Sequence, residues 1–218
     1  MKVELKSITP NIENTIVEIA RVSSSRNDKT EKPEGLINYL ITNHHWSPFE
    51  HGSITFEIET SKAIGIQLLR HRSFTFQEFS QRYQDVGKIS DDGMFEDIEI
   101  RKQAKNNRQS SEDVFNPVLY DVFETPINAD SEIKRILEEV GELYEALLNA
   151  GVAREQARMI LPMCTKTRIY MTGSIRSWIH FVKLRDDGHA QKEAQDIAKE
   201  IKRILIQELP IISKSLEW

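Results

Sequence analysis

The sequence contains one cysteine among its 218 residues, Cys164. A single cysteine excludes an intramolecular disulfide, so a reducing compartment is expected. The thiol precedes a predicted strand, where a packed, structural cysteine is the simplest interpretation. Ser80 lacks the Gly-x-Ser-x-Gly surroundings of a nucleophile elbow. Covalent catalysis by a protein nucleophile is therefore poorly supported.

Long apolar runs are also missing from the sequence. No stretch approaches the roughly 18 apolar residues that are needed to cross a bilayer. The first six residues are charged and lack the apolar core of a signal peptide. The sequence therefore predicts a soluble, cytoplasmic protein.

The chain has no excess of positive charge, since its net charge is -5 and its pI is about 5.8. Broad nucleic-acid binding requires a basic face that displaces counterions, so an RNA-binding regulator is disfavoured. A local basic pocket stays compatible with this composition. The length, with 39% hydrophobic residues, predicts one globular domain over residues 1–218, or one domain with an elaborated half.

Two common ligand-binding patterns are absent. There is no Gly-x-Gly-x-x-Gly or Walker sequence, so arginines would have to hold a bound phosphate in place of backbone amides. The six histidines show no metal-ligand spacing. His45 and His51 flank a predicted loop, where each is a candidate either for ligand contact or for a capping role.

The pattern of apolar residues predicts an α+β fold. Strands are predicted at 2–9, 52–60 and 165–171, and helices at 12–22, 34–44, 62–70, 130–149, 153–161, 174–185 and 189–208. Loops are predicted at 23–32 and over the polar segment 85–127, where part forms a long surface loop or flap. Gln67 and Arg70 are expected to share a face at the end of their helix.

The segment from Arg70 to Tyr83 carries the strongest chemical signal. It holds three arginines, a histidine, a glutamate and several hydroxyl and amide groups. Arginine binds phosphate in two-point contact, and Ser and Gln side chains can hydrogen-bond the edge of a base or a flavin. The segment therefore predicts a site for an anionic, heteroaromatic ligand.

A second group of cations lies in the C-terminal half. Arg158 precedes Pro162, Arg176 and His180 are four residues apart on one predicted helix, and Arg185 ends that helix. Arg185 taken by itself could simply complement the helix dipole. That explanation does not account for Arg158 and Arg176 as well.

These residues resemble the flavin-dependent thymidylate synthases, whose signature reads Arg-His-Arg-x-x-Ser-x-Asn-Glu-x-Ser-x-Arg. Six of its eight fixed positions match, and Thr75 and Gln77 replace Ser and Asn. The resemblance continues through 45–51, 157–162 and 184–191, in the same order and over nearly the whole chain.

The resemblance implies a single domain with a central mixed or antiparallel sheet and several long helices. It implies methylation of dUMP to dTMP, with methylenetetrahydrofolate supplying the carbon, FAD carrying the hydride and NADPH reducing the flavin. The cofactor then performs the redox chemistry, and the protein supplies binding, orientation and electrostatics. It further implies a homotetramer whose active sites are shared between subunits. A nucleotide or flavin carrier that has kept the pocket and lost catalysis is the alternative.

The resemblance also assigns residues. It implies FAD contacts at Ser47, Arg70, His71, Arg72, Glu78, Ser174, Arg176 and His180, with His45 near the flavin and folate. It implies dUMP contacts at Gln67, Leu68, Leu69, Arg70, Glu78, Phe79, Ser80, Gln81, Arg82, Arg158 and Arg185.

Arg185 matches the family's activating arginine. A fixed cation beside N3 of uracil favours the deprotonated ring, since an opposite charge at contact lowers a pKa by roughly 1 to 3. The chain departs from the usual pattern in four places: Ser47 stands for Thr, Ser174 and His180 for Asn, and Gln81 for Gly.

Overall fold

The computed structural model describes residues 1–23 and 32–218. Most of the loop that was predicted at 23–32 lies outside the described residues. Within them, no helix is both long and apolar enough to span a membrane.

The described residues form eight α-helices and eight β-strands. The helices are α1 (Ile12–Ala20), α2 (Pro33–Thr42), α3 (Lys62–Leu68), α4 (Ala129–Asn149), α5 (Arg154–Ala157), α6 (Ile175–Arg185), α7 (Lys192–Glu208) and α8 (Pro210–Ser215). The strands are β1 (Lys2–Ile8), β2 (Ser53–Ser61), β3 (Phe74–Glu78), β4 (Arg101–Gln103), β5 (Ser111–Val114), β6 (Val118–Tyr120), β7 (Pro126–Asn128) and β8 (Lys166–Ser174).

The predicted helices and strands are confirmed, with shifted ends. Helix α3 begins after Ser61, whose hydroxyl accepts from the Ile64 amide at 3.4 Å as predicted for a cap. The helix ends at Leu68, so the expectation that Arg70 shares its face with Gln67 is wrong. Arg70 lies in the turn that follows the helix.

The main sheet has the strand order β1-β2-β8-β3. Two antiparallel hairpins, β4–β5 and β6–β7, occupy much of the segment that was predicted as a surface loop or flap. Their strands are almost entirely exposed. The α+β class is confirmed.

The chain divides into two compact units. Unit 1 comprises Met1, Glu59–Leu68 and Glu78–Ile169. Unit 2 comprises Lys2–Ile58, Leu69–Gln77 and Tyr170–Trp218.

The core of unit 2 contains a cluster of aromatic rings. Trp178 packs edge-on against Phe56, Phe74 and Phe181 at centroid distances of 4.9, 4.6 and 5.6 Å. Its indole N–H donates to the carbonyl of Ile54 at 3.0 Å. On β2, Ile54 and Phe56 are fully buried, as their alternation predicted. This cluster fixes α6 against the strands of its own unit.

The core of unit 1 is built around Tyr144 of α4. Tyr144, Val86 and Ala157 are buried, and Phe79 is among the partly buried side chains that pack against them. The hydroxyl of Tyr144 accepts from the Val86 amide at 3.3 Å. Residues 79–86 are thus attached to α4 and to the helical turn at 158–160.

Candidate active site

In unit 2, Arg185 contacts His71. The last residue of α6 donates from Nε to Nε2 of His71 across 2.9 Å. Arg185 also lines a cavity of about 440 Å³ together with Asp187 and His189, and these two side chains lie 2.6 Å apart. The predicted activating arginine and the signature histidine therefore meet although they are 114 positions apart.

The hydrogen bond defines the protonation of His71. Because Nε2 accepts, it carries no proton, and a neutral ring must hold its proton on Nδ1. Burial, with the charge of Arg185 and then of His180 adding to it, lowers the pKa of His71 to about 4. Burial also lowers the pKa of Arg185, but a guanidinium stays charged near neutral pH.

The His71 ring is supported by two aromatic side chains. It packs edge-on against Phe181 at 4.9 Å and against Phe74 at 6.2 Å. Phe74 in turn lies over Gly173 of β8, where an added Cβ would come within 2.4 Å of the ring. The absence of a side chain at Gly173 therefore lets Phe74 reach the place from which it supports His71.

A cavity of about 520 Å³ opens beside α6 in unit 2. Its lining combines cations, hydroxyl groups and aromatic rings: His44, Trp46, Glu50, Ser73, Arg176, Ser177, Ile179, His180 and Lys183. Two of the predicted FAD contacts, Arg176 and His180, are in this lining. They share it because residues four apart on a helix project from one face.

Glu50 connects two predicted FAD contacts at this cavity. Its carboxylate accepts from the Arg176 guanidinium at 2.9 Å and from the Ser174 hydroxyl at 2.6 Å. Ser174 also caps α6 by accepting from the Ser177 amide at 3.2 Å. Serine thus fulfils a capping role at a position where Asn, another good cap, is usual in the family.

Several cavity residues were missed by sequence reasoning. His44 lines the cavity, whereas its neighbour His45, which was predicted to lie near the flavin and folate, packs edge-on against Tyr39 at 5.7 Å. His44 has a φ of 58°, a left-handed conformation that is uncommon for a residue other than glycine. It stacks against Trp46 at 6.2 Å. The spacing of the histidines could not distinguish His44 from His45.

The remaining predicted contacts of unit 2 lie at its surface. Ser47 begins the short helical turn Ser47–His51. Leu69, Arg70 and Arg72 are exposed in the segment between α3 and β3. These side chains are accessible to a ligand.

In unit 1, Glu78 lies at the end of β3 and is held by two donors. Its Oε1 accepts from Lys62 Nζ at 2.7 Å and from the Thr167 hydroxyl at 2.8 Å. A Cβ at Gly65 of α3 would lie 3.6 Å from the same oxygen. The carboxylate that was predicted to contact both ligands therefore has a fixed position beside α3.

The other predicted dUMP contacts of unit 1 differ in accessibility. Leu68 and Gln81 are buried, so neither is accessible to a ligand in the single chain. Arg82 is exposed and lies 3.5 Å from Glu155. Arg158 begins a helical turn directly after Ala157 of the Tyr144 core.

The donor set of unit 2 fits a dinucleotide cofactor. The guanidinium of Arg176, the ammonium of Lys183 and nearby hydroxyl groups suit a pyrophosphate, and the aromatic rings of His44 and Trp46 suit stacking with a heterocycle. The raised pKa of Cys164, caused by burial, leaves that thiol a poor nucleophile.

Sequence comparison finds named relatives whose similarity covers nearly the whole chain. The family described as "Thymidylate synthase complementing protein" matches residues 4–211. A protein of Paramecium bursaria Chlorella virus 1, "Probable flavin-dependent thymidylate synthase", is 41% identical over 226 aligned positions and covers 100% of both chains. The flavin-dependent thymidylate synthase of Synechocystis sp. is 41% identical over 206 residues, which cover 94% of this chain and 90% of the relative.

A solved structure is similar as well. It is a UMP/dUMP methylase, PolB, from Streptomyces cacaoi bound with 5-Br dUMP. Its TM-score is 0.78 and its sequence identity 28%, covering 99% of this chain and 94% of the methylase. With the sequence matches, this likeness leads to one conclusion: the chain belongs to the family of flavin-dependent thymidylate synthases.

Proposed function

We propose that this protein methylates dUMP to dTMP, taking the carbon from methylenetetrahydrofolate, with FAD as the hydride carrier and NADPH as its reductant. The observation that carries the proposal is the full-length match to flavin-dependent thymidylate synthases at 41% identity. The solved relative, which is a UMP/dUMP methylase bound to a dUMP analogue, supports the choice of nucleotide.

The FAD-binding part of the proposal rests on unit 2. Arg176, with Lys183 beside it in the cavity lining, would bind the pyrophosphate, and His180 lines the same cavity. Arg70 and Arg72, which are exposed beside β3, would add further phosphate contacts. When bound, FAD supplies the hydride that completes the methyl group. The protein's part is to bind and orient the cofactor and to keep water from the reacting atoms.

The nucleotide contacts that we propose are given for each unit by itself. In unit 1, Arg82 and Arg158 would bind the dUMP phosphate, while Ser80, Gln67 and the fixed carboxylate of Glu78 would contact its polar groups. In unit 2, Arg70 and Arg185 are the proposed nucleotide contacts.

Arg185 would activate the substrate. Its cation, placed beside N3 of uracil, stabilises the deprotonated ring and raises the electron density at C5, which makes C5 more nucleophilic toward the folate methylene. No bond between enzyme and substrate is needed in this scheme. The raised pKa of Cys164 supports that part of the proposal, because a thiol with a raised pKa is seldom ionised at neutral pH.

We further propose that residues 1–218 act as one functional domain, since the family match spans both compact units. A homotetramer with shared active sites would cover apolar side chains of α4 that are accessible in the single chain: Ile136 and Leu143 are 44% and 50% exposed. Location in the cytoplasm stays a prediction.

The absorbance spectrum of the purified protein, recorded with and without dUMP, tests this function. A flavin spectrum that dUMP perturbs would support cofactor, substrate and their proximity together. Conversion assays with methylenetetrahydrofolate and NADPH should then compare dUMP with UMP. Flavin binding without conversion of either nucleotide would indicate a binding protein that has lost catalysis, and a colourless protein that binds no flavin would refute the proposal.

A further inference from the structure

His71 accepts a hydrogen bond from Arg185, the arginine that would activate the substrate. Arg185 uses Nε for this bond, so Nε2 of His71 is one of the groups that direct its guanidinium. The bond length of 2.9 Å is that of a well-formed hydrogen bond. The histidine therefore acts on the orientation of the arginine.

The chemical nature of the acceptor matters for an arginine that must stabilise a developing anion. A carboxylate acceptor at this place would orient the guanidinium and also offset its charge. A neutral imidazole orients the guanidinium without offsetting its positive charge, which can then act on the substrate. The described groups that act on the charge of His71, Arg185 and His180, both favour its neutral form.

The His71 ring is itself held in place, as a positioning group must be. Phe181 and Phe74 contact it edge-on, and both are packed against the buried Trp178. Phe181 and Arg185 belong to the same helix, α6. One helix therefore carries both the arginine and a ring that supports its acceptor.

We infer that His71 is a positioning residue of the nucleotide side of the site, which directs Arg185 toward the uracil ring through Nε2. This inference rests on the proposed function, because it concerns the substrate that Arg185 activates. It assigns His71 a task beyond the FAD contact that the sequence signature implies.

The test compares two amide substitutions at position 71. His71→Gln places an acceptor oxygen near the position of Nε2, whereas His71→Asn places its amide near Nδ1, too short to meet Arg185. With flavin occupancy measured and FAD held at saturation, His71→Asn should lower the single-turnover rate of dUMP methylation about 10- to 100-fold. His71→Gln should recover most of that loss, because it keeps a neutral acceptor near the position of Nε2.

A double-mutant cycle with Arg185→Ala identifies the group through which His71 acts. If His71 acts through Arg185, then His71→Asn should change the rate by less than about 2-fold once Arg185 is already Ala. Independent, multiplicative losses in the double variant would overturn the inference. Equal losses in His71→Asn and His71→Gln would overturn it as well, because they would indicate a role that the acceptor position does not explain.

A measurement that needs no turnover separates this inference from the proposed function. The ¹⁹F chemical shift of bound 5-fluoro-dUMP reports the ionisation of N3. His71→Asn should raise the apparent pKa of N3 toward that of the unbound nucleotide, Arg185→Ala should raise it further, and the double variant should match Arg185→Ala. If the protein binds the nucleotide but converts none, the proposed function fails while this titration still decides the role of His71. An N3 pKa that is the same in all four proteins would overturn the inference.

Discussion

Lys62 and Glu78 form an ion pair in unit 1, with Nζ and Oε1 2.7 Å apart and both side chains less than one-third exposed. Glu78 is the last residue of β3 and Lys62 the first of α3, so the pair connects the two elements that border the predicted nucleotide contacts. Thr167 donates to the same oxygen at 2.8 Å. The conformation of Glu78 is therefore set by its neighbours before any ligand arrives.

Lys62→Met should weaken both folding and nucleotide binding. The substitution keeps the aliphatic stem and removes a charge-assisted hydrogen bond, at a cost of about 1.5 kcal/mol in the free energy of unfolding. The Kd for dUMP should rise about tenfold as Glu78 loses its orientation. Lys134→Met is the matched control, because Lys134 forms an exposed pair with Asp130 on α4 and its loss should leave the free energy of unfolding nearly unchanged. Equal losses in both variants, measured by denaturant titration and calorimetry, would contradict the role of Lys62.

Arg185→Ala should keep FAD and lose most turnover. The substitution removes the cation that we propose lies beside the uracil ring, while Arg176 and the cavity beside α6 stay in place. A drop in kcat of about 100-fold or more is expected, since one electrostatic group aimed at developing charge is typically worth that much. Arg203→Ala provides the control, because Arg203 is exposed and pairs with Glu200 on α7. Flavin absorbance and tritium release from C5 of labelled dUMP measure the two effects; retained turnover would refute the activating role.

The sequence predicted the helices and strands whose apolar residues recur at regular spacing. The contiguous motif from Arg70 to Arg82 indicated the family. The alternation of β2 was readable because Ile54 and Phe56 are buried in the core and their neighbours on the strand are less so. The short strands of the two hairpins were missed, because residues such as Ser111–Val114 are all exposed and give no apolar pattern. The sequence predicted that α3 ends at residue 70, whereas the helix ends at Leu68. The apolar pattern gives no indication of the turn that begins at Leu69.

Contacts between distant parts of the chain could not be predicted. No local pattern links His71 to Arg185, or Glu50 to Ser174 and Arg176, because the strands and α6 of unit 2 determine those distances. His44 lines the cavity and has a left-handed backbone conformation. The spacing of residues in the sequence does not predict that conformation either. Family resemblance predicted ligand contacts for the arginines, but it gave no information on the groups that hold these side chains in place.

Protonation of His71 should make the protein less stable in mild acid. Its pKa is about 4 when folded, against an ordinary value of 6.5, so the unfolded chain binds more protons between these limits. The stability that neutral His71 contributes is fully present above about pH 6.5 and is lost as the pH falls toward about 4. His71→Gln cannot titrate, so its melting temperature should fall less steeply across that window. Identical slopes for the two proteins would show that His71 does not titrate as described.

Gly173→Ala should disturb the support of His71. The new methyl group would lie within 2.4 Å of the Phe74 ring, so the ring must move. A loss of about 1–3 kcal/mol in the free energy of unfolding is expected from overpacking, with reduced turnover as His71 loses its neighbour. Gly35→Ala in α2 is the control: nothing lies within 4 Å of the new Cβ, so a gain of about 0.5–1 kcal/mol is expected. Thermal melts of the two variants measure these changes in stability. An unchanged melting temperature for Gly173→Ala would show that Phe74 can move without loss of stability.

Tyr144→Phe should destabilise the segment that carries Phe79 to Arg82. The hydroxyl is the acceptor for the buried amide of Val86, at 3.3 Å, and its removal leaves that amide unsatisfied. A cost of about 1–3 kcal/mol is expected for an orphaned buried donor. Tyr39→Phe is the control, since Tyr39 is 54% exposed and should change stability by less than about 0.5 kcal/mol. In denaturant titrations, Tyr144→Phe should unfold at a lower midpoint concentration of denaturant. The slope of its unfolding free energy against denaturant concentration should stay unchanged. A loss at Tyr39 that equals the loss at Tyr144 would indicate a general effect of removing hydroxyl groups and would refute the role of the Val86 hydrogen bond.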